Sequence, residues 1–406
     1  MTDDDTPLSA ETDALLRLVL AGGAAAPRRR LIEAHGGPLA AELAGVAAWR
    51  ACGLDSDQVR ALHPATDGSA SALRKRCRDW LRLPTHHLIG WHDRDYPSLL
   101  RQSVNPPLAV FVAGDPALLW HPGIAVVGSR GPSPSGRDNA RSFSLALSRA
   151  GLSIVSGMAA GVDRAAHEAA LEGQRPTVAV LGTGPDVPYP REHAALLTRI
   201  ATQGAVISEH PPGTTAVRGH FPSRNRIIAA LSLGTLVVEA ASRSGALITA
   251  RLAAEAGREV FAIPGSIHNP MTRGCHRLIR DGAALVESPD EIIAELGPMA
   301  RRMSEHLRQP LPTPIDGPGK TRPQPVSEIF ETPFDADADY QRLWRALDDD
   351  PTDMDRLVER TGLTAATLSS MLLLMELQGR VVRAHGRYTR ARPPHLTAPS
   401  GAGQGT

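Results

Sequence analysis

The chain has 406 residues, 42% of them hydrophobic and 21% charged, with a formal net charge of +1 and three cysteines. That length predicts two to four domains with ample core, and the composition excludes collagen, a disulfide mini-protein and a wholly disordered chain. No apolar run reaches the ~20 residues of a membrane span. The acidic start, MTDDDTPLSA, carries no visible secretory signal. Cys52, Cys77 and Cys275 are scattered, with no CxxC pair, so neither a zinc site nor a disulfide framework is expected, and a reducing cytoplasm is the natural compartment. Only Lys75 and Lys320 are lysines, so 42 of the 44 basic residues are arginine. Codon bias accounts for that total; the positions of particular arginines are more informative.

In chain order, residues 1–85 form a helical region of SAM or helix-hairpin-helix type. Leu15, Leu16, Val19 and Leu20 have helical spacing, and Gly22-Gly23, Gly36-Gly37-Pro38 and Gly53 mark turns. A structural cap and a binding module are equally open there. Residues 86–297 alternate sharply. Apolar runs at 124–128, 152–156, 177–181, 205–208, 235–239 and 259–263 each lead through a glycine-bearing turn into a helical pattern. This predicts an extended Rossmann-like α/β domain, a doubly wound, mostly parallel sheet covered on both faces. Residues 298–334 are proline-rich and predict an extended linker. Residues 335–392 read as helix, helix–turn–helix and hairpin, a winged helix, and residues 393–406 as a disordered tail.

Ligands of open α/β sheets bind beyond the carboxyl ends of the strands. The first run ends in Gly128-Ser129-Arg130, a turn that can take a phosphate on serine and amide with arginine closing over it; the alternative is a plain turn with an exposed arginine. No GxGxxG is present. The second run ends in Ser156-Gly157, another candidate anion cradle. Asp163 and His167 follow it, read foremost as a helix cap and a packing histidine. The fourth run leads to Arg218-Gly219-His220-Phe221-Pro222-Ser223-Arg224-Asn225-Arg226. Cations interleaved with an aromatic suit single-stranded nucleic acid, whose phosphates meet the cations while an unstacked base meets the ring. The alternative there is a ring that plugs the core, with Arg224 and Arg226 in ion pairs. Ser244-Gly245 after the fifth run adds a further candidate phosphate turn. No nucleophile–base pair and no set of three metal ligands is evident, so recognition is expected rather than bond breaking, with no metal and no cofactor.

These motifs, with GLSIVSGMAAGVDRAAHEAAL (151–171), VLGTGPDVPYP (180–190), FPSRNRIIAALS (221–232) and VVEAASRSGALITA (237–250), resemble the DprA/Smf DNA-processing family in the right order over most of 86–290. The resemblance implies a non-catalytic protein that binds and protects single-stranded DNA. It also implies loading of the RecA recombinase in natural transformation or recombination, and homodimerisation through the Rossmann-like domain. It assigns Gly128, Ser129 and Arg130 to a phosphate turn, Arg218 to a basic DNA contact, Phe221 to base packing, and Arg224, Asn225 and Arg226 to an RNR signature. Ala160 and His276 depart from the family pattern. The rival is a nucleotide phosphoribohydrolase like the LOG/lysine-decarboxylase-like group. That group's PGG is absent before Gly234-Thr235, where Leu231-Ser232-Leu233 stand instead. The second helix of the expected winged helix, residues 364–377, lacks arginine and lysine. A protein-interaction role is therefore favoured over duplex binding.

Overall fold

The computed structural model describes residues 8–63, 69–308, 338–347, 352–363, 368, 371, 372, 375, 381–384 and 387–390. Two compact units are present, Met1–Pro312 and Thr313–Thr406.

The first unit is built on a nine-stranded sheet. Its strands are β1 (His86–Gly90), β2 (Ala109–Gly114), β3 (Gly123–Val127), β4 (Ser153–Ser156), β5 (Thr177–Leu181), β6 (Ala205–Ser208), β7 (Gly234–Val237), β8 (Glu259–Ala262) and β9 (Ala284–Leu285). Their order is β1-β2-β6-β5-β4-β3-β7-β8-β9. The six apolar runs singled out in the sequence are β3 to β8. From β6 to β9 neighbouring strands are parallel, while β1 and β2 run antiparallel at one edge.

Period-two alternation distributes the core. Ile124 and Val126 of β3 pack on one face with Phe143 and Leu147 of helix Pro134–Arg149 and with Val162, Ala166 and Ala170 of helix Val162–Glu172. Ala125 and Val127 face the other way, into the cluster of Ile227 and Ile228 from helix His220–Ala230 and Ala250 from helix Ala246–Glu255. Burying both faces explains why these strands read as continuous apolar runs. From β3 the chain winds outward through β4, β5 and β6, then returns to place β7 on the other side of β3. The strand order therefore reverses between β3 and β7, where the loops leaving the two strands part and open a crevice.

The helical region includes Ala10–Leu20, Ala25–His35, Ser56–Leu62 and Ser69–Leu81. It shares its core with the antiparallel edge: Leu16, Trp80 and Phe111 fall in one cluster, and Leu15, Leu18 and Leu108 in another. At the far end, residues 298–308 depart from the expected linker. Helix Pro289–Arg308 runs through Pro298, because Leu296, Ala300 and Met303 continue the apolar stripe packed on the sheet. The proline removes one helical donor but does not break that packing. The remaining linker residues up to 334 and the tail at 393–406 lie outside the described residues.

The second unit has helices Ala338–Ala346 and Met354–Thr361 and a three-stranded antiparallel sheet of Thr352–Asp353, Val381–Ala384 and Arg387–Arg390. Leu343, Leu357, Leu368, Leu372, Val381 and Tyr388 form its core. Most of the helix without arginine or lysine expected at 364–377 lies outside the described residues.

His167 is fully buried, and its Nδ1 lies 2.8 Å from Thr177 Oγ1. That hydroxyl donates its own proton to the Ile154 carbonyl, so it accepts from the imidazole. Burial, and then the positive charge of Arg224, hold the imidazole down at about 3, from an ordinary 6.5. Between those values the unfolded chain binds a proton that the folded chain refuses, so stability falls as pH falls through this window. A His167→Gln variant, which keeps a donor but does not titrate, is expected to show a flatter decline of Tm between pH 6.5 and 4 in thermal melts.

Candidate nucleic-acid interface

The crevice between β3 and β7 is a cleft of about 430 Å³ lined by Gly128, Ser129, Arg130, Phe221, Asn225, Arg243, Ser244 and Gly245, among others. A second cleft, of about 610 Å³, is lined by Arg130, Tyr189, Arg191, Phe221 and Arg224. Arg130 and Phe221 line both, so the two form one trough along the carboxyl edge of the sheet.

Its geometry follows from how each turn satisfies its own backbone. After β3, Ser129 N–H donates to the Glu239 carbonyl at 2.7 Å, and Ser129 Oγ accepts from Gly131 N–H at 3.1 Å. Ser129 is buried, and Gly128 presses against the Val162 side chain. The turn therefore spends its serine hydroxyl on itself and its amide on the segment after β7, and offers Arg130, which is exposed. At Gly161 the backbone φ is +83°, and a side-chain carbon there would lie 2.7 Å from the Arg130 carbonyl carbon. Glycine lets the β4 turn touch the β3 turn.

The Ser156-Gly157 cradle is already filled. Ser156 Oγ donates to the Val126 carbonyl at 2.6 Å, fully buried. Gly157 and Ala159 donate their N–H groups to Asp163 Oδ2 at 3.1 and 3.3 Å. The chain supplies its own carboxylate where an external anion was expected, so these two residues do not form a phosphate site.

Arg224 is likewise internal, at 5% exposure. Its Nη1 donates to the Gly157 carbonyl at 2.7 Å and to the Val180 carbonyl, and its Nε to Asn225 Oδ1 at 3.2 Å. A side chain at Gly157 would collide with this guanidinium. Burial lowers Arg224 to about 10, opposed by Asp163, so it stays charged at neutral pH. Burial pushes the Asp163 carboxyl up, against the pull of Arg224 and of the two amides. Arg226 pairs with Glu209, and on the same helix His220 stacks on His210 with ring centroids 3.8 Å apart. Arg224 and Arg226 are thus fasteners of the helix that carries Phe221; the ion-pair alternative holds for Arg226 alone, since Arg224 is held by carbonyls and Phe221 lines the trough.

The Phe221 ring sits in the first turn of that helix, with the Arg130 guanidinium carbon 6.0 Å from its centroid. Arg218 is exposed on the preceding loop but does not line either cleft. Ser244 Oγ accepts from Ala246 N–H at 3.3 Å, at the start of helix Ala246–Glu255. Gly245 is open, with nothing within 4 Å of the position a side-chain carbon would take. Sequence reasoning passed over Arg243, Arg191 and Tyr189. Tyr189 is 41% exposed, and its ring centroid lies 4.9 Å from that of Phe221. The available signal was an aromatic two residues before an arginine, Tyr189-Pro190-Arg191.

Glu239 occupies a place where a glutamate could do glycosidic chemistry, but its carboxylate is 4% exposed and engaged. It accepts from the Ser133 N–H at 2.9 Å, the Ser133 hydroxyl and Asn269 Nδ2 at 3.3 Å. Among the described residues no cluster of three or more His, Cys, Asp or Glu could hold a metal ion, and no helix is long and apolar enough to cross a membrane.

The family described as DNA recombination-mediator protein A matches residues 87–297, and the DprA winged helix domain matches residues 330–387. Protein Smf of Escherichia coli is 40% identical over 314 residues, 77% of this chain and 79% of that protein. DNA processing protein DprA of Streptococcus pneumoniae is 44% identical over 218 residues, 54% of this chain and 76% of that protein. The X-ray structure of DprA from S. pneumoniae superposes with a TM-score of 0.62 at 34% identity, covering 71% of this chain and 99% of that one.

Removing Arg224 would leave the buried Gly157 and Val180 carbonyls without their donor. Arg224→Ala is expected to lower the unfolding free energy by about 2–5 kcal/mol in urea titrations, whereas Arg130→Ala is expected to leave it within about 0.5 kcal/mol of the parent.

Proposed function

The chain belongs to the DprA/Smf family of DNA recombination mediators, and from that premise we propose that it binds single-stranded DNA along the trough at the carboxyl edge of its sheet. It protects the strand there and loads a RecA recombinase onto it, acts as a homodimer in the cytoplasm, and performs no covalent chemistry.

The observation that carries this reading is the pairing of Arg130 with the half-buried Phe221 ring that lines both clefts of the trough. An arginine can neutralise a phosphate while the adjacent ring takes a base. Arg243 extends the cationic line on one side and Arg191 on the other, and Arg218 adds charge from the flanking loop. Gly128, Ser129, Ser244 and Gly245 shape the floor. Stacking and phosphate contacts carry little sequence information, which suits a protein that must accept any strand.

The phosphoribohydrolase reading loses its reactive group. A glutamate whose oxygens hold a hydroxyl, an amide and an asparagine cannot also serve a sugar without dismantling that turn. For the winged helix, the absence of arginine and lysine from 364–377 continues to favour a protein partner.

The test is binding of a labelled oligo-dT and its duplex counterpart across a salt series. Preference for the single strand with a steep salt slope is expected. Arg130→Ala and Arg218→Ala should each weaken binding and reduce the slope by about 1. Phe221→Ala should cost about 1–3 kcal/mol and leave the slope unchanged. Three variants that bind like the parent would place the site elsewhere. RecA loading is read separately, as faster filament nucleation on strands coated with single-strand-binding protein.

A further inference from the structure

We infer that Tyr189 is a second base-stacking platform, so that the trough seats two neighbouring bases, one on Phe221 and the next on Tyr189. The inference rests on the single-strand reading above and assigns a subsite within it.

Four observations converge on this residue. First, the Tyr189 ring is among the larger apolar groups left open to solvent. Nothing in the fold requires that exposure: the neighbouring His193 is buried, its Nδ1 2.9 Å from the Met158 carbonyl. Second, the ring is presented rather than loose. Its loop is closed by Thr183 Oγ1 donating to the Val187 carbonyl at 2.6 Å and by Val187 N–H donating to the Gly184 carbonyl at 3.1 Å. The loop is tied to the segment before Phe221 by Gly184 N–H on the Thr214 carbonyl at 2.9 Å and by Gly213 N–H on Asp186 Oδ1 at 2.7 Å. A preorganised aromatic loses little freedom on binding.

Third, Tyr189 and Phe221 touch in a tilted arrangement, 39° between planes. The pair leaves no slot between the rings for a base, so each ring offers its outer surface. Fourth, charge brackets the pair. Arg130 stands beside Phe221, and Arg191 follows Tyr189 after one proline. The lining of this cleft carries two exposed arginines, Arg130 and Arg191, against one glutamate, Glu192. Cation, ring, ring, cation is the sequence of groups that a strand of alternating phosphates and bases would meet.

The experiment uses the full chain with a short oligo-dT and two readouts. Tyr189→Ala should weaken binding roughly 5- to 100-fold with an unchanged salt slope, as loss of one stacked base predicts. Tyr189→Phe should bind within about twofold of the parent, because the ring face and not the hydroxyl is used. Ultraviolet irradiation of the complex should cross-link thymine to the peptide containing Tyr189 as well as to that containing Phe221. Arg130→Ala and Phe221→Ala run in parallel. If these two weaken binding while Tyr189→Ala does not, or if the Tyr189 peptide stays unmodified, the second platform is overturned and the site stands. If Tyr189→Phe loses as much as Tyr189→Ala, the hydroxyl is the contact and stacking is overturned. If Phe221→Ala and Arg130→Ala both bind like the parent, the site reading falls first, and with it this inference.

Discussion

A charged node at the carboxyl edge of the sheet organises everything around it. Asp163, from the start of helix Val162–Glu172, accepts the amides of the β4 turn, and Arg224, from helix His220–Ala230, donates to carbonyls of that turn and of β5. Three segments distant in sequence are thereby fastened at one point. Two ionisable groups removed from water hold there only because backbone groups complete their hydrogen bonding. Phe221 precedes Arg224 by three residues on the same helix, so the ring that lines the trough takes its position from a cation that is buried.

The same node divides the arginines by role. Arg224 and Arg226 are spent on the protein, one on carbonyls and one on Glu209, whereas Arg130, Arg191, Arg218 and Arg243 are exposed. A guanidinium serves both ends well, since its planar fork can satisfy several carbonyls at once or meet a phosphate bidentately. Glu239 plays the matching part for the carboxylates. It draws the turn after β3, the start of helix Pro134–Arg149 and Asn269 together, and leaves no free oxygen facing the trough.

The parallel strands β3 to β8 were legible in the amino-acid sequence because burial leaves an uninterrupted apolar run, and each run was followed by its glycine turn, whereas the short, exposed β9 left no such run. The antiparallel edge was harder to read. The AVFVAG of β2 lacks a helix after it, and His86–Gly90 is too mixed to announce a strand. The start of the linker was misread because a proline at 298 reads as a break, while the apolar positions at 296, 300 and 303 carry the helix onward. At the site, residue type was readable but its use was not. Ser156 and Gly157 have the composition of an anion cradle, and nothing in their spacing says that a carboxylate six residues beyond Gly157 will fill it. Phe221 was found because three arginines surround it. Tyr189 lay in a proline-flanked turn with one, and its nearness to Phe221 comes from the packing of the loops after β5 and β6, which only the fold brings together.

The tie between the two loops has an entropic consequence. Gly184, Thr214, Asp186 and Gly213 hold the aromatic rim in place before any strand arrives. Little order has then to be created in the protein, and the loss of freedom falls on the incoming polymer, whose unstacked form is the more disordered. Such a surface discriminates by stiffness. A limp strand can drape itself over fixed rings, while a paired duplex, already rigid and with its base faces hidden, has nothing to lay against them.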